Sequence, residues 1–363
     1  MALNIGEAAP WFAGQTTSLP KFHISSTGGR FVLLGFIPDV ARRDQAMALV
    51  AARRAAFNDF NLCVFLVVRD PQSIDQARDD LPGVRWMLDR SGDITRLYDL
   101  VNADGGEPGR WLLLDPMLRV IGSAPLDEGA AQFERLDTLP PPDDHAGTTV
   151  HAPVLIVPRI FEPEMCRRLI AFYQADGGAV SGVMREVNGR TVGVVDDFKN
   201  RRDAVISDEG FRRDLRVRLA RRLVPEIRKA FQFEATRLER YIVACYDASE
   251  GGYFRPHRDN TTKGTAHRRF ACSINLNAEE FEGGDLRFPE FGSRTYRPPT
   301  GGAVVFSCSL LHEATPVTRG VRYAFLPFFF DEPAEAIRQQ NLQFLDVPSP
   351  EAMAPNAPAD VQA

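Results

Sequence analysis

The chain has 363 residues, 44% of them hydrophobic and 25% charged, with a formal net charge of −5. That length suffices for two ordinary domains with cores of their own, and the mild acidity argues against a nucleic-acid partner. No run approaches about 18 unbroken apolar residues, and the first residues carry neither a basic nor an apolar leader, so the expectation is a cytoplasmic chain with no membrane partner.

In chain order, FVLLGF (31–36) reads as a buried strand, and DVARRDQAMALVAARRAAF (39–57) has helical spacing and strong helix formers. LCVFLVV (62–68), VRWMLD (84–89), RWLLLD (110–115) and LRVIGS (118–123) read as further strands, with a short helical piece at DITRLYDL. Continuous rather than alternating apolar strands predict a sheet covered on both faces, and the strand–helix–strand order predicts a three-layer α/β domain over residues 1–137. Five cysteines, Cys63, Cys166, Cys245, Cys272 and Cys308, are odd in number and lack close pairing, so buried reduced thiols are expected.

This half resembles the thioredoxin fold, and within it the peroxiredoxins, through NIGEAAPWF, GGRFVLLGFIP and WMLDRSGDITRLYDL. In that family a threonine and the peroxidatic cysteine stand four and seven residues after the proline that ends the first core strand. Counting from Pro38, those places hold Arg42 and Gln45. Peroxide reduction needs a thiolate, which an amide cannot replace, so the resemblance implies the fold and not the activity. The expected role is structural, or docking of a substrate or partner.

Prolines and small polar residues mark 138–152 as a linker. A second domain is expected over 153–332, and a C-terminal extension over 333–363, disordered in part. The second domain opens with helices. FEPEMCRRLIAFYQADGG (161–178) is closed by two glycines, and residues 211–231 space Phe211, Leu215, Leu219, Leu223, Ile227 and Phe231 four apart. Pro225 is expected to break that helix after Val224. From Lys199 to Lys229 there are eleven Lys and Arg against five Asp and Glu, read as a solvated helix face. Runs at 239–247, 269–277, 283–292, 301–314 and 320–330 then read as strands of a sandwich or barrel.

The stretch YFRPHRDN (253–260) places His257 two residues before Asp259. In a strand, residues two apart share a face, so the pair can converge on a divalent metal. Of the six histidines, His312 ends the apolar run AVVFSCSLL, where a strand meets a loop and can present a third ligand. Two imidazoles and a carboxylate suit iron(II) with three positions open, and the lack of cysteine argues against structural zinc. Arg322, ten residues after His312, sits in the apolar strand VRYAFLPFFF, where an arginine is costly unless it meets an anion. Tyr246, ending IVACYD, can donate a second hydrogen bond to that anion. His267 is read as a surface or outer-shell histidine, and Asn260, Arg268 and Arg269 as candidates for the mouth of the site.

On these residues, with GGDLRF (283–288) and PPTGGAVVF (298–306), the second half resembles the iron(II)/2-oxoglutarate dioxygenases, closest to the prolyl 4-hydroxylase type. The resemblance covers about residues 153–332. It implies a double-stranded β-helix, or jelly-roll, with flanking helices. It implies that His257, Asp259 and His312 are the catalytic metal triad, that Arg322 takes the distal carboxylate of 2-oxoglutarate, and that Tyr246 is a co-substrate tyrosine. Iron(II), 2-oxoglutarate, O2 and L-ascorbate as reductant are implied, as is hydroxylation of a substrate C–H bond with release of succinate and CO2. Peptidyl proline, free amino acids and small metabolites all stand as substrates. One alternative is a barrel–redoxin fusion without catalysis that binds a peptide or partner; a second is a peroxide-metabolising enzyme, which the missing thiolate opposes.

Overall fold

The computed structural model describes residues 3–102 and 105–346. The chain forms two compact units: Met1–Ala152 with Phe288–Arg294, and Pro153–Arg287 with Thr295–Ala363.

In the first unit a five-stranded sheet runs in the spatial order Val84–Leu88, Leu62–Val68, Phe31–Ile37, Arg110–Leu114, Val120–Pro125. The first three strands are parallel, and the last two join antiparallel. The apolar runs are continuous because both faces are covered: Leu33, Val64 and Leu66 belong to one core and Val32, Leu34 and Phe65 to the other. The helix Val40–Ala52 starts where Asp39 caps it, the carboxylate accepting from the Arg42 N–H at 2.9 Å. It is shorter than the helical pattern, which ends in a separate 3-10 turn at Arg54–Ala56.

The second unit begins with the helix Pro163–Asp176, closed by Gly177 in the left-handed region. The four-residue stripe of 211–231 is buried from Phe211 to Ile227, with Phe231 half-buried. It is carried by two helices, Glu209–Arg222 and Val224–Phe231. The break falls at Leu223, one residue earlier than expected, because Pro225 fits the first turn of the second helix, where no N–H is needed. The arginines on these helices are largely matched within the unit: Arg218 and Arg222 pair with Glu162, and Arg212 and Arg216 with Glu209.

Two antiparallel sheets follow, in the manner of a jelly-roll. The larger holds Arg237–Glu239, Ile242–Asp247, Phe270–Asn275, Ala303–Ser307, Val321–Phe325 and Phe328–Phe330, with short strands at Leu155–Val157, Ala179–Val180 and Arg202–Val205. The smaller runs Lys199–Asn200, Tyr253–His257, His312–Ala314, Leu286–Arg287, Thr295–Tyr296. Several single-strand expectations are broken in two. Residues 283–292 contribute only Glu282–Gly283 and Leu286–Arg287 before a 3-10 turn. Gly283 has φ +69°, and a Cβ there would meet the Pro316 carbonyl oxygen at 2.1 Å, so the strand must turn at this point and only glycine permits it. Run 301–314 separates into Ala303–Ser307 and His312–Ala314. The hairpin Val183–Val187/Arg190–Val194 was not expected, although Asn188-Gly189, both at positive φ, is a strong turn signal.

The expected linker contains a 3-10 turn at Pro142–Asp144. The expected extension opens with an ordered helix, Glu332–Asn341, whose Asp331 cap accepts from the Ala334 N–H at 3.0 Å. The expected disorder from about Asp346 lies, beyond that residue, outside the described residues. No helix among the described residues is long and apolar enough to cross a membrane. All five cysteines are free and buried.

Candidate active site

His257 and His312 are cross-strand partners in the smaller sheet. Asp259 lies past the end of its strand, in the turn after His257, and its N–H donates to the Cys308 carbonyl at 3.0 Å. The two residues therefore converge through a strand end and a turn, not along one strand face. Between them, Arg258 donates to the Ser309 carbonyl.

The ligand atoms of His257, Asp259 and His312 all lie within 4.8 Å of one another, the one such cluster of three among the described residues. Asp259 Oδ1 is 3.5 Å from His257 Nε2, and Oδ2 is 3.3 Å from His312 Nε2. Cis ligands about 2.1 Å from a shared divalent ion stand about 3 Å apart, so little movement is needed to hold one. Each imidazole is already oriented. Nδ1 of His257 bonds the Arg255 carbonyl at 2.8 Å and Nδ1 of His312 the Leu310 carbonyl at 3.0 Å. Nδ1 then carries the proton, and the Nε2 lone pair is left for a metal. Phe254 stacks on His257 at 3.5 Å and Phe306 meets His312 edge-on at 4.6 Å. Burial, then the neighbouring His312, pushes the His257 imidazole down to about 4, so it stays neutral. Burial raises the Asp259 carboxyl, but the two histidines outweigh it and hold the group well below the usual carboxylate range. Two imidazoles and a carboxylate with an open side fit iron(II) or a similar hard divalent ion.

The triad opens onto a cavity between the two sheets, open on one side to solvent. Arg322 lines it from the larger sheet and is 3% exposed. Its Nη2 donates to Ser273 Oγ at 2.8 Å and its Nε to Asn275 Oδ1 at 3.3 Å. No carboxylate among the described residues lies within ion-pair distance, and burial pushes the guanidinium down from its ordinary value. Such a buried cation is costly until an anion enters. Tyr246 pairs in register with Arg322, and the guanidinium carbon sits 5.1 Å from its ring centre. The tyrosine hydroxyl accepts from Arg201 Nη1 at 3.2 Å.

All five residues singled out by sequence line this one cavity. The others do not: His267 is buried at 2% exposure with Nε2 2.9 Å from Glu239 Oε2, Arg268 pairs with the same carboxylate, and neither these nor Asn260 and Arg269 reach the cavity wall. Arg201 and Arg240 line it and were missed. Arg201 fell inside a basic run read as a solvated face, yet it is 4% exposed. Its only local signal is its place in KNRRDAV, a polar stretch that forms strands rather than helix.

Residues 241–330 match the 2OG-Fe(II) oxygenase superfamily. Over 95 residues the chain is 36% identical to a PKHD-type hydroxylase of Cupriavidus metallidurans, covering 23% of this chain and 42% of that protein. Over 91 residues it is 38% identical to one of Pseudomonas fluorescens, covering 23% and 39%. The chain thus spans about two fifths of the length of the curated relatives it matches. Among solved structures it is similar to a Pseudomonas putida prolyl-4-hydroxylase at 19% identity and a TM-score of 0.37, covering 52% of this chain and 96% of that one. The family match falls in the C-terminal region, on the stretch that carries His257, Asp259, His312, Arg322 and Tyr246.

Proposed function

We propose that the second unit is an iron(II)- and 2-oxoglutarate-dependent dioxygenase that hydroxylates a substrate C–H bond, with peptidyl proline among the candidate substrates. The observation that carries this is the meeting, in one cavity, of an oriented His-Asp-His cluster and a buried arginine without a carboxylate partner. Bound iron supplies the oxidising chemistry, coupling decarboxylation of 2-oxoglutarate to succinate and CO2 with oxygen insertion. His257, Asp259 and His312 would hold the ion. Arg322 neutralises the distal carboxylate of 2-oxoglutarate and sets its direction, while Ser273 and Asn275 fix the guanidinium plane. The Tyr246 hydroxyl lies on the same wall, where it can donate to the co-substrate. Phe254 and Phe306 pack against the imidazoles and keep water from their far sides. L-Ascorbate is proposed as the accessory reductant.

We also infer that the first unit is thioredoxin-like and without catalysis. Its mixed sheet supports the fold. Gln45 stands at the peroxidatic place, and Cys63 is buried with its thiol pushed up to about 11 by desolvation, far from a reactive thiolate. The test of the main reading is succinate formation that requires iron(II), 2-oxoglutarate and O2 together, joined to a mass-spectrometric search for a +16 Da product among peptides and metabolites. Absence of succinate from an iron-loaded, folded chain refutes it.

A further inference from the structure

Tyr246 stands between two arginines of the larger sheet. On one side its strand pairs with Val321–Phe325, where Arg322 is its register partner. On the other side its strand pairs with Arg202–Val205, where Cys245 meets Arg202, so Arg201 comes one step before the first pair. Both guanidinium carbons lie over the tyrosine ring, Arg322 at 5.1 Å from its centre and Arg201 at 5.6 Å. All three residues line the cavity.

The two arginines differ in their partners. Arg322 donates to the neutral side chains of Ser273 and Asn275. Arg201 already has a carboxylate: its Nη2 donates to Asp203 Oδ2 at 2.7 Å, and that oxygen also accepts from the Ser181 hydroxyl. The other end of the same fork, Nη1, donates to the Tyr246 hydroxyl at 3.2 Å. A guanidinium offers N–H donors and no acceptor, so the tyrosine oxygen accepts in this bond and its own hydrogen points elsewhere. Among the described residues no acceptor for that hydrogen lies within bonding distance. A buried O–H without an acceptor is costly, and at a cavity wall an entering ligand removes the cost.

We infer that Arg201 is a positioning residue: held by Asp203, it occupies the Tyr246 oxygen from the sheet side and so directs the tyrosine O–H at 2-oxoglutarate. This rests on the dioxygenase reading above. The two arginines then have different tasks. Arg322 meets the co-substrate itself, and Arg201 acts on it through the tyrosine. A phenol O–H turns between orientations, and a fixed donor on its oxygen removes those that point back into the sheet. The ligand then binds without having to order the hydroxyl first.

The test is a double-mutant cycle on the full chain loaded with manganese(II), a non-turnover stand-in for iron. Dissociation constants for 2-oxoglutarate and for manganese(II) are measured side by side. Tyr246→Phe should weaken 2-oxoglutarate by about ten- to a hundredfold, the worth of a hydrogen bond to a charged group. Arg201→Met is made together with Asp203→Asn, because removing a buried pair as a whole avoids stranding one charge. This pair should weaken 2-oxoglutarate by about threefold or more, and Arg201→Lys, which keeps the charge and loses the fork, should fall between it and wild type. In the Tyr246→Phe background both changes should add nothing, since no hydroxyl is left to direct. In iron-loaded succinate release the loss should sit in the KM for 2-oxoglutarate rather than in kcat. Unchanged 2-oxoglutarate affinity in Tyr246→Phe or in every folded Arg201 variant overturns the assignment. So do losses that multiply in the combined variants, a fall in kcat alone, or an equal loss of manganese(II) affinity, which marks a merely structural role. Succinate release by the iron-loaded wild type separates the two levels. If it is absent, the dioxygenase reading falls and this inference with it; if it is present while the losses multiply, only the role of Arg201 falls.

Discussion

Replacing Arg322 by leucine separates its role in the fold from its role in the site. In the protein without co-substrate, Arg322 is a buried cation hydrogen-bonded to Ser273 and Asn275, with the Tyr246 ring 5.1 Å from its guanidinium carbon. Removing it orphans two side-chain groups, at about 1–3 kcal/mol each. It also removes the desolvation cost of an unpaired charge, which is of the same size or larger. The net change in stability of the free chain should therefore be small. Binding of 2-oxoglutarate should suffer far more. Losing one partner of a buried charge pair costs about 2–5 kcal/mol, which is roughly thirty- to several-thousand-fold in apparent affinity. Arg322→Lys should fall between, since it keeps the charge and loses the planar fork. The assay is the thermal shift of the manganese-loaded protein over a 2-oxoglutarate titration. A ligand at a hundredfold its dissociation constant adds about 2.7 kcal/mol to the stability of the wild type. Arg322→Leu should show almost none of this at the same concentration, while metal still binds. A wild-type titration curve in the leucine variant would show that Arg322 does not meet the co-substrate.

His257→Ala, Asp259→Ala and His312→Ala should each lower metal affinity by more than about a hundredfold, beyond what loss of an outer-shell partner costs; a variant that titrates with manganese(II) like wild type is not missing a ligand. The metal-free chain should lose stability as pH falls from about 6.5 to about 4. Across that window the unfolded chain takes up a proton that buried His257 refuses, so the slope is up to about 1.4 kcal/mol per pH unit. Asp259, held low in the fold, adds loss in the same direction at still lower pH. Denaturation midpoints of wild type and His257→Gln should differ in slope there, and parallel curves would rule out His257 as the cause. The native, metal-free chain should consume no peroxide and leave a thiol reagent unreacted until denatured, because all five cysteines are buried; rapid labelling in native buffer would contradict this.

Much of the site was legible because its chemistry is written in unusual local patterns. A histidine and an aspartate two apart, a histidine ending an apolar run, and an arginine inside another apolar strand are each out of place unless they serve a common ion or anion. The apolar runs of the first unit likewise announce a sheet covered on both faces, since a run with no polar alternation has nowhere to place a wet side. Tertiary structure decided what depends on distant partners. Asp259 points inward from a turn because its N–H is held by Cys308, 49 residues on. The same pairing of Tyr253–His257 with His312–Ala314 brings the two histidines face to face. Arg201 gave no local sign of burial, for its environment is made by Ser181, Asp203, Arg240 and Tyr246, contributed by separate strands and turns. A charge is solvated or desolvated by whatever the fold packs around it, and that is a non-local property which composition and spacing do not carry.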